Sequence, residues 1–211
     1  MTDYFYLLYE AECKERINLA FVMDMSSSIT AKNYPKQKDF IKRVADTFSI
    51  SETQTDVGVI TYNREAKLWI SFGQYNNNNE FKDAVDKIPY WGGQTRIDNG
   101  LEMAAVSLFG ELKGGREKLP NVLILLTDGQ QSSDLKATPF EEAVLPLFQL
   151  GVKVFAVGVG DQFSRDELRL IVEKDRDIFT VNDFDDLLTK SHEIARTACD
   201  AAESKCLRGV A

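Results

Sequence analysis

The stretch INLAFVMDMSSS, Ile17 to Ser28, decides the fold. An apolar run (Ile17, Leu19, Ala20, Phe21, Val22, Met23) stops at Asp24 and is followed at once by Ser26, Ser27 and Ser28. A run of this length and composition predicts a strand covered on both faces, as in a parallel sheet. The polar residues then fall at its carboxyl end, where open α/β sheets bind ligands. Asp24, Ser26 and Ser28 offer a carboxylate and two hydroxyls. These are hard oxygen donors that suit Mg²⁺, Ca²⁺ or Mn²⁺ rather than zinc or copper.

Two further runs repeat the pattern. NVLILLT (121–127) ends in Asp128-Gly129, and VKVFAVGV (152–159) ends in Gly160-Asp161. Between and after them, amphipathic spacing predicts helices over 33–48, 81–88, 97–109, 139–150 (despite Pro146), 165–174 and 183–200. DVGVITY (56–62) reads as a strand, the pair Asn63-Arg64 as a tight turn, and 68–72 as the returning arm of a hairpin. A short strand is expected at 178–181. Strands alternating with helices predict a doubly wound α/β domain. Its sheet is expected to have six mostly parallel strands, with the hairpin arm as one antiparallel edge strand and helices on both faces. The four asparagines 76–79 read as a surface loop.

The chain has 211 residues, enough for one large domain, and its 44% apolar content is ordinary for a globular protein. A net charge of −8 and a pI near 4.8 argue against nucleic acid as a partner. No apolar stretch approaches the ~18 residues that span a bilayer, so membrane insertion is not expected. Residues 1–14 are read as a leader, 15–200 as the domain and 201–211 as a frayed tail. The opening MTDYFYLLYEAE starts acidic and has only a short apolar run, unlike a secretory signal. An ordered leader, a remnant of processing and an appended segment all stay open for it.

Cys13 precedes the first strand, whereas Cys199 and Cys206 lie near the far end. Domain termini often lie close together, so a clasp from Cys13 to Cys199 or to Cys206 is expected, and with it an oxidising compartment. Closing so long a loop adds about 4–5 kcal/mol in the chain-entropy model. Three reduced thiols in a cytosolic protein are the alternative.

Asp24, Ser26 and Ser28 follow the first strand, Thr95 sits in the Gly-rich segment WGGQTRIDNG, and Asp128 follows the strand 121–127. If the sheet reverses its winding between those two strands, the three loops share one crevice. Two carboxylates and three hydroxyls make a weak donor set. A cation held there keeps water and can accept an acidic oxygen from elsewhere.

These segments, DMSSS, GGQT and LLTDG, resemble the metal-ion-dependent adhesion site of von Willebrand factor type A domains, also called integrin inserted domains. Asp24, Ser26 and Ser28 match the family's Asp-x-Ser-x-Ser, Thr95 its loop threonine and Asp128 its second aspartate. The resemblance covers about residues 15–198 and includes Gly151 to Gly160. It implies a divalent cation, Mg²⁺ by preference with Ca²⁺ or Mn²⁺ also admitted. The serines would bind it directly, and Thr95 and Asp128 directly or through water. A Glu or Asp of a protein partner, collagen or another matrix component among the options, would complete its shell. It also implies a secreted or cell-surface adhesion module without catalytic activity. Extracellular members carry cysteines flanking the domain, similar to Cys13 and Cys199, which makes these two the expected pair.

Ser27 departs from the glycine that many members have, and is expected to point away from the metal. Met25 reads as a packed or rim residue. Asp98 is an extra carboxylate near the site, read as a cap of the following helix in preference to a tuner of metal affinity. Trp91 is either a partner contact or a half-buried aromatic, and Trp69 shares that ambiguity. His192 reads as an exposed helix residue. Two other functions compete with this one. An intracellular scaffold of the same fold would have three free thiols. A Mg²⁺-dependent phosphoryl hydrolase with Asp24 as nucleophile would need a second acid where Ser26 stands. Neither GxSxG nor a Walker loop is present.

Overall fold

The computed structural model describes residues 13–112, 116, 118–133 and 136–208, with backbone alone for 204–208. Residues 1–12 of the leader read at 1–14, and the Cys206 thiol, therefore lie outside the described residues. The elements run β1 (Asn18–Asp24), α1 (Thr30–Ala45), β2 (Asp56–Tyr62), β3 (Ala66–Ile70), α2 (Asn78–Asp86), α3 (Ile97–Ser107), β4 (Asn121–Thr127), α4 (Phe140–Gln149), β5 (Val152–Val159), α5 (Arg165–Leu170), β6 (Ile178–Val181), α6 (Phe184–Thr189) and α7 (Ser191–Arg208).

The six strands order as β3-β2-β1-β4-β5-β6. All neighbours are parallel except β2 and β3, so the hairpin arm is the antiparallel edge. Every residue of β1, β2 and β4 is buried, as their unbroken apolar runs require. Side chains alternate between two cores. Leu19, Phe21 and Met23 face one core together with Phe40 and Ile41 of α1 and Ile194 of α7. Ala20 and Val22 face the other, with Leu101 of α3 and Leu147 of α4. The chain moves one way from β1 to β2 and the other way to β4. The winding therefore reverses between β1 and β4, and their carboxyl ends open onto a shared crevice.

Several local readings shift. The hairpin arm begins at Ala66, two residues early, and its register with β2 slips between Val59 and Ile60. Pro146 is tolerated inside α4 because it lies on the exposed face, where the carbonyl it leaves unbonded can meet water. The single closing helix expected over 183–200 is two. Asp183 caps α6 through Asp185 and Asp186 N–H, and the chain restarts at Ser191, whose buried hydroxyl donates to Leu188 O. α7 then continues to Arg208, past the predicted stop at residue 200. The asparagine run is a structural joint. Asn77 caps α2, while Asn78 donates to the carbonyls of Ala45 and Phe48 at the end of α1.

Cys13 and Cys199 form a disulfide across 186 residues, fastening α7 to the segment that bridges to Phe48. Among the described residues no helix is long and apolar enough to cross a membrane.

Candidate metal centre

Asp24 ends β1 and is fully buried. Its Oδ1 accepts from the Ser26 N–H at 2.7 Å, which folds the chain back over the strand end. Its Oδ2 lies 3.1 Å from the Tyr62 hydroxyl and 3.2 Å from Thr127 Oγ1. The Ser26 and Ser28 hydroxyls are 2.9 Å apart, and Ser28 Oγ donates to Asp128 Oδ1 at 2.6 Å. One chain of hydrogen bonds thus joins the two aspartates through both serines.

Thr95 enters from the far side on a loop that others hold in place. Gly92 and Gly93 adopt φ of 71° and 123°, a region that side-chain-bearing residues avoid, and a Cβ on Gly93 would come within 3.1 Å of Asn63. Asn63 Nδ2 donates to Gly92 O at 2.6 Å. The Thr95 N–H donates to Ser132 Oγ at 3.0 Å, and the Ser132 N–H returns a bond to Thr95 O at 2.8 Å. Thr95 Oγ1 and Ser28 Oγ border the same point above Gly129, each 3.8 Å from where a Cβ there would stand. Asp24, Ser26, Ser28, Thr95 and Asp128 therefore meet in one crevice, as their sequence positions predicted.

The electrostatics show what this cluster lacks. Burial raises the Asp24 carboxyl to about 7, against the lowering effect of its hydrogen bonds to Ser26. Burial also raises Asp128, opposed by the Ser28 bond. No cationic side chain acts on either group. Two buried carboxylates without an internal counter-ion, flanked by hydroxyl oxygens alone, suit a divalent cation from solution. The set holds only two acidic side chains, and among the described residues no group of three His, Cys, Asp or Glu is placed to hold a metal.

Asp98 is not the helix cap expected of it. It makes no capping bond to α3. Its carboxylate is fully buried and takes a two-pronged bond from Arg96, at 2.9 and 2.7 Å, with further bonds from Gln131 Nε2 and the Thr138 N–H. Burial raises this group, but the bonds from Arg96, Gln131 and Thr138 outweigh it and leave it below the usual carboxylate value. Gln131 Oε1 also accepts from the Ile97 N–H, and the Gln131 N–H donates to Glu167. The network ties the Thr95 loop to the segment after Asp128.

Sequence reasoning passed over several supporting residues. Ser27 forms a reciprocal clamp: its N–H donates to Gly93 O at 2.9 Å and its Oγ accepts from the Gly93 N–H at 2.8 Å. Its side chain does turn from the crevice, but it joins the first metal-facing loop to the Thr95 loop. Tyr90 OH donates to Ser26 O at 3.0 Å, and Gln37 Nε2 to Asp24 O at 2.8 Å. Thr127 and Tyr62 carried a sequence signal, since each ends a strand beside the crevice. The partners of Ser27 and Ser132 carried none. Met25 is buried, Trp91 is exposed and Trp69 half-buried, and His192 is exposed.

The chain belongs to the von Willebrand factor type A domain family, whose model matches residues 18–193. It is 29% identical to vitrin of Mus musculus over 92% of its own length and 29% of that protein's. It is 31% identical to matrilin-1 of Gallus gallus over 75% of its length and 31% of that protein's. The chain thus spans about a third or less of these relatives. Among solved structures it resembles proximal thread matrix protein 1 from the mussel byssus (TM-score 0.81, 33% identity, 90% of this chain and 47% of that one). Another structure of that mussel protein, at TM-score 0.80, 34% identity and the same coverage, has a zinc-occupied metal-ion-dependent adhesion site motif.

Proposed function

We propose that this chain is a non-enzymatic adhesion module of a secreted, cell-surface or extracellular-matrix protein. It binds an acidic residue of a protein partner through a divalent cation held by Asp24, Ser26, Ser28, Thr95 and Asp128. The observation that carries this reading is the hydrogen-bonded chain from the buried Asp24 through Ser26 and the exposed Ser28 to Asp128, with no cationic side chain of its own. A cation bound there balances both carboxylates, while neutral hydroxyls leave it electron-poor toward an incoming Glu or Asp. Donor hardness favours Mg²⁺, with Ca²⁺ and Mn²⁺ close behind. The zinc in the mussel protein's motif shows that zinc also enters a site of this kind, so the exclusion of zinc argued from hardness is too strict. Matrix components, collagens among them, are the partner class that vitrin and matrilin-1 suggest.

The Cys13–Cys199 disulfide supports an oxidising compartment over the intracellular scaffold reading. Catalysis at Asp24 is disfavoured because a fully buried carboxylate engaged by Ser26, Tyr62 and Thr127 has no open line to an incoming phosphorus. Calorimetric titration of Mg²⁺ or Mn²⁺ into chelator-stripped protein tests the site. Saturable heat is expected, and it should vanish in Ser26→Ala and Asp128→Ala, both of which keep the circular-dichroism spectrum of the parent. An absence of heat with every one of Mg²⁺, Ca²⁺, Mn²⁺ and Zn²⁺ refutes the reading.

A further inference from the structure

A groove beside the metal-facing loops contains an aromatic cluster that the cation site does not use. Trp69 on β3 and Trp91, just before Gly92, have ring centroids 5.6 Å apart with planes inclined at 43°. The Lys67 ammonium lies 3.8 Å from the Trp69 centroid and 5.1 Å from that of Trp91. Trp69 is anchored by its indole N–H, which donates to Thr61 Oγ1 at 2.8 Å, whereas Trp91 is 59% exposed. Trp91, Lys67, Asn63 and Arg64 line an open groove of about 350 Å³ that also reaches Met25. Met25 stands between Asp24 and Ser26, and Gly92-Gly93 are bonded to Asn63 and Ser27. The groove and the metal-facing loops therefore share backbone.

Its charge is opposite to that of the molecule. The chain carries −8 overall, yet the groove sets Arg64 and Lys67 against Glu65 alone, an excess of one positive charge. Arg64 and Lys67 belong to none of the ion pairs found among the described residues. Contact with the indoles restrains Lys67, so less side-chain freedom is lost when an anion binds it. An exposed tryptophan beside a restrained cation is the composition of an interface anchor.

We infer that this groove receives the same acidic segment whose first carboxylate sits on the cation. It takes a second carboxylate of that segment onto Lys67 and Arg64, with the intervening residues lying on the Trp91 ring. The inference rests on the metal-mediated reading above, and it names the partner more narrowly as a segment with two carboxylates.

The chain has two tryptophans, and both belong to this cluster, so emission excited selectively in tryptophan rather than tyrosine reports on the groove. The probes are synthetic peptides of glycine and proline carrying one glutamate, or two at increasing separation, titrated in Mg²⁺. At one separation the two-glutamate peptide should bind about two- to fivefold tighter than the one-glutamate peptide and shift the emission. Lys67→Ala should abolish that advantage while leaving unchanged both the one-glutamate affinity and the heat of Mg²⁺ binding. The inference is overturned if no separation outperforms the single glutamate, or if Lys67→Ala and Lys67→Glu bind the two-glutamate peptide as the parent does. Failure of the cation site reads differently, as a loss of Mg²⁺ heat in the parent. An emission shift and Lys67 dependence that persist in EDTA would uphold the groove and remove only its metal anchor.

Discussion

Asp24 and Asp98 are both fully buried on the same rim of the sheet, yet their surroundings move them in opposite directions. Burial without a counter-ion lifts Asp24 to about 7, whereas Arg96, Gln131 and Thr138 overcome burial and hold Asp98 low. The local sequence already differs, since Arg96 stands two residues before Asp98, whereas Asp24 ends a strand with only serines after Met25. The difference lies in where the positive charge comes from. Asp98 has a guanidinium from its own chain, so it is closed to solvent cations and stiffens the loops. Asp24 and Asp128 have hydroxyls and backbone N–H groups but no cationic side chain, so the proposed cation is one that comes from solution.

The largest effect that would break this contrast is expected at Asp24. Asp24→Asn should abolish cation heat in calorimetry while changing stability in chelator by no more than about 1 kcal/mol, because it removes a buried charge that has no cationic partner and keeps an oxygen for the Ser26 N–H. A large loss of stability in that variant would show that Asp24 is structural after all. Asp98→Ala should behave in the reverse way. Taking from the buried Arg96 guanidinium the carboxylate that holds both of its prongs is expected to cost about 3–5 kcal/mol in chemical denaturation, with cation binding weakened only as far as the loops loosen.

Acid sharpens the same point with a smaller effect. The folded-state pKa of Asp98 is depressed, so its contribution is present above the ordinary value of 3.8 and is lost as pH falls through the folded value. The stability gap between the parent and Asp98→Asn should therefore be flat from about pH 7 to about pH 5 and narrow below about pH 4. A gap that widens in acid would contradict the assignment. Ser27→Ala should give the smallest change. Without the hydroxyl that receives the Gly93 N–H, the Thr95 loop is less firmly placed, and cation affinity should fall by about tenfold with little loss of stability. Unchanged affinity would mean that the backbone bond from Ser27 to Gly93 is sufficient.

Much of the fold was legible because its signals are local. The apolar runs ending at Asp24, Thr127 and Val159 are long enough to require burial on both faces, and such strands need helices between them. The break at Lys190 was not legible, since the apolar spacing continues through it and the side-chain bonds that mark it are those of Thr189 to Asp186 O and Ser191 to Leu188 O. The five candidate ligands could be found from the chain because each lies at or just after a strand end, or in a glycine-rich loop. Arg96, two residues before Asp98, was a local signal passed over, whereas its other partners Gln131 and Thr138 are 33 and 40 residues away and could not be read from the chain.

By itself, the order of residues determined the strands, the side of the sheet on which the polar loops fall, and the oxygen character of the crevice. These follow from burial periodicity and from the chemistry of single side chains. Only the tertiary structure decided which carboxylates keep a counter-ion, that Ser27 clamps one loop to the next, and that Trp69, Lys67 and Trp91 form one cluster, whereas the Cys13–Cys199 disulfide is the pair that the family resemblance implied. The reason is the range of the interactions. Hydrophobic patterning is written within a few residues, whereas a hydrogen bond, a disulfide or a cation–π contact depends on what the fold brings within a few ångströms from elsewhere in the chain.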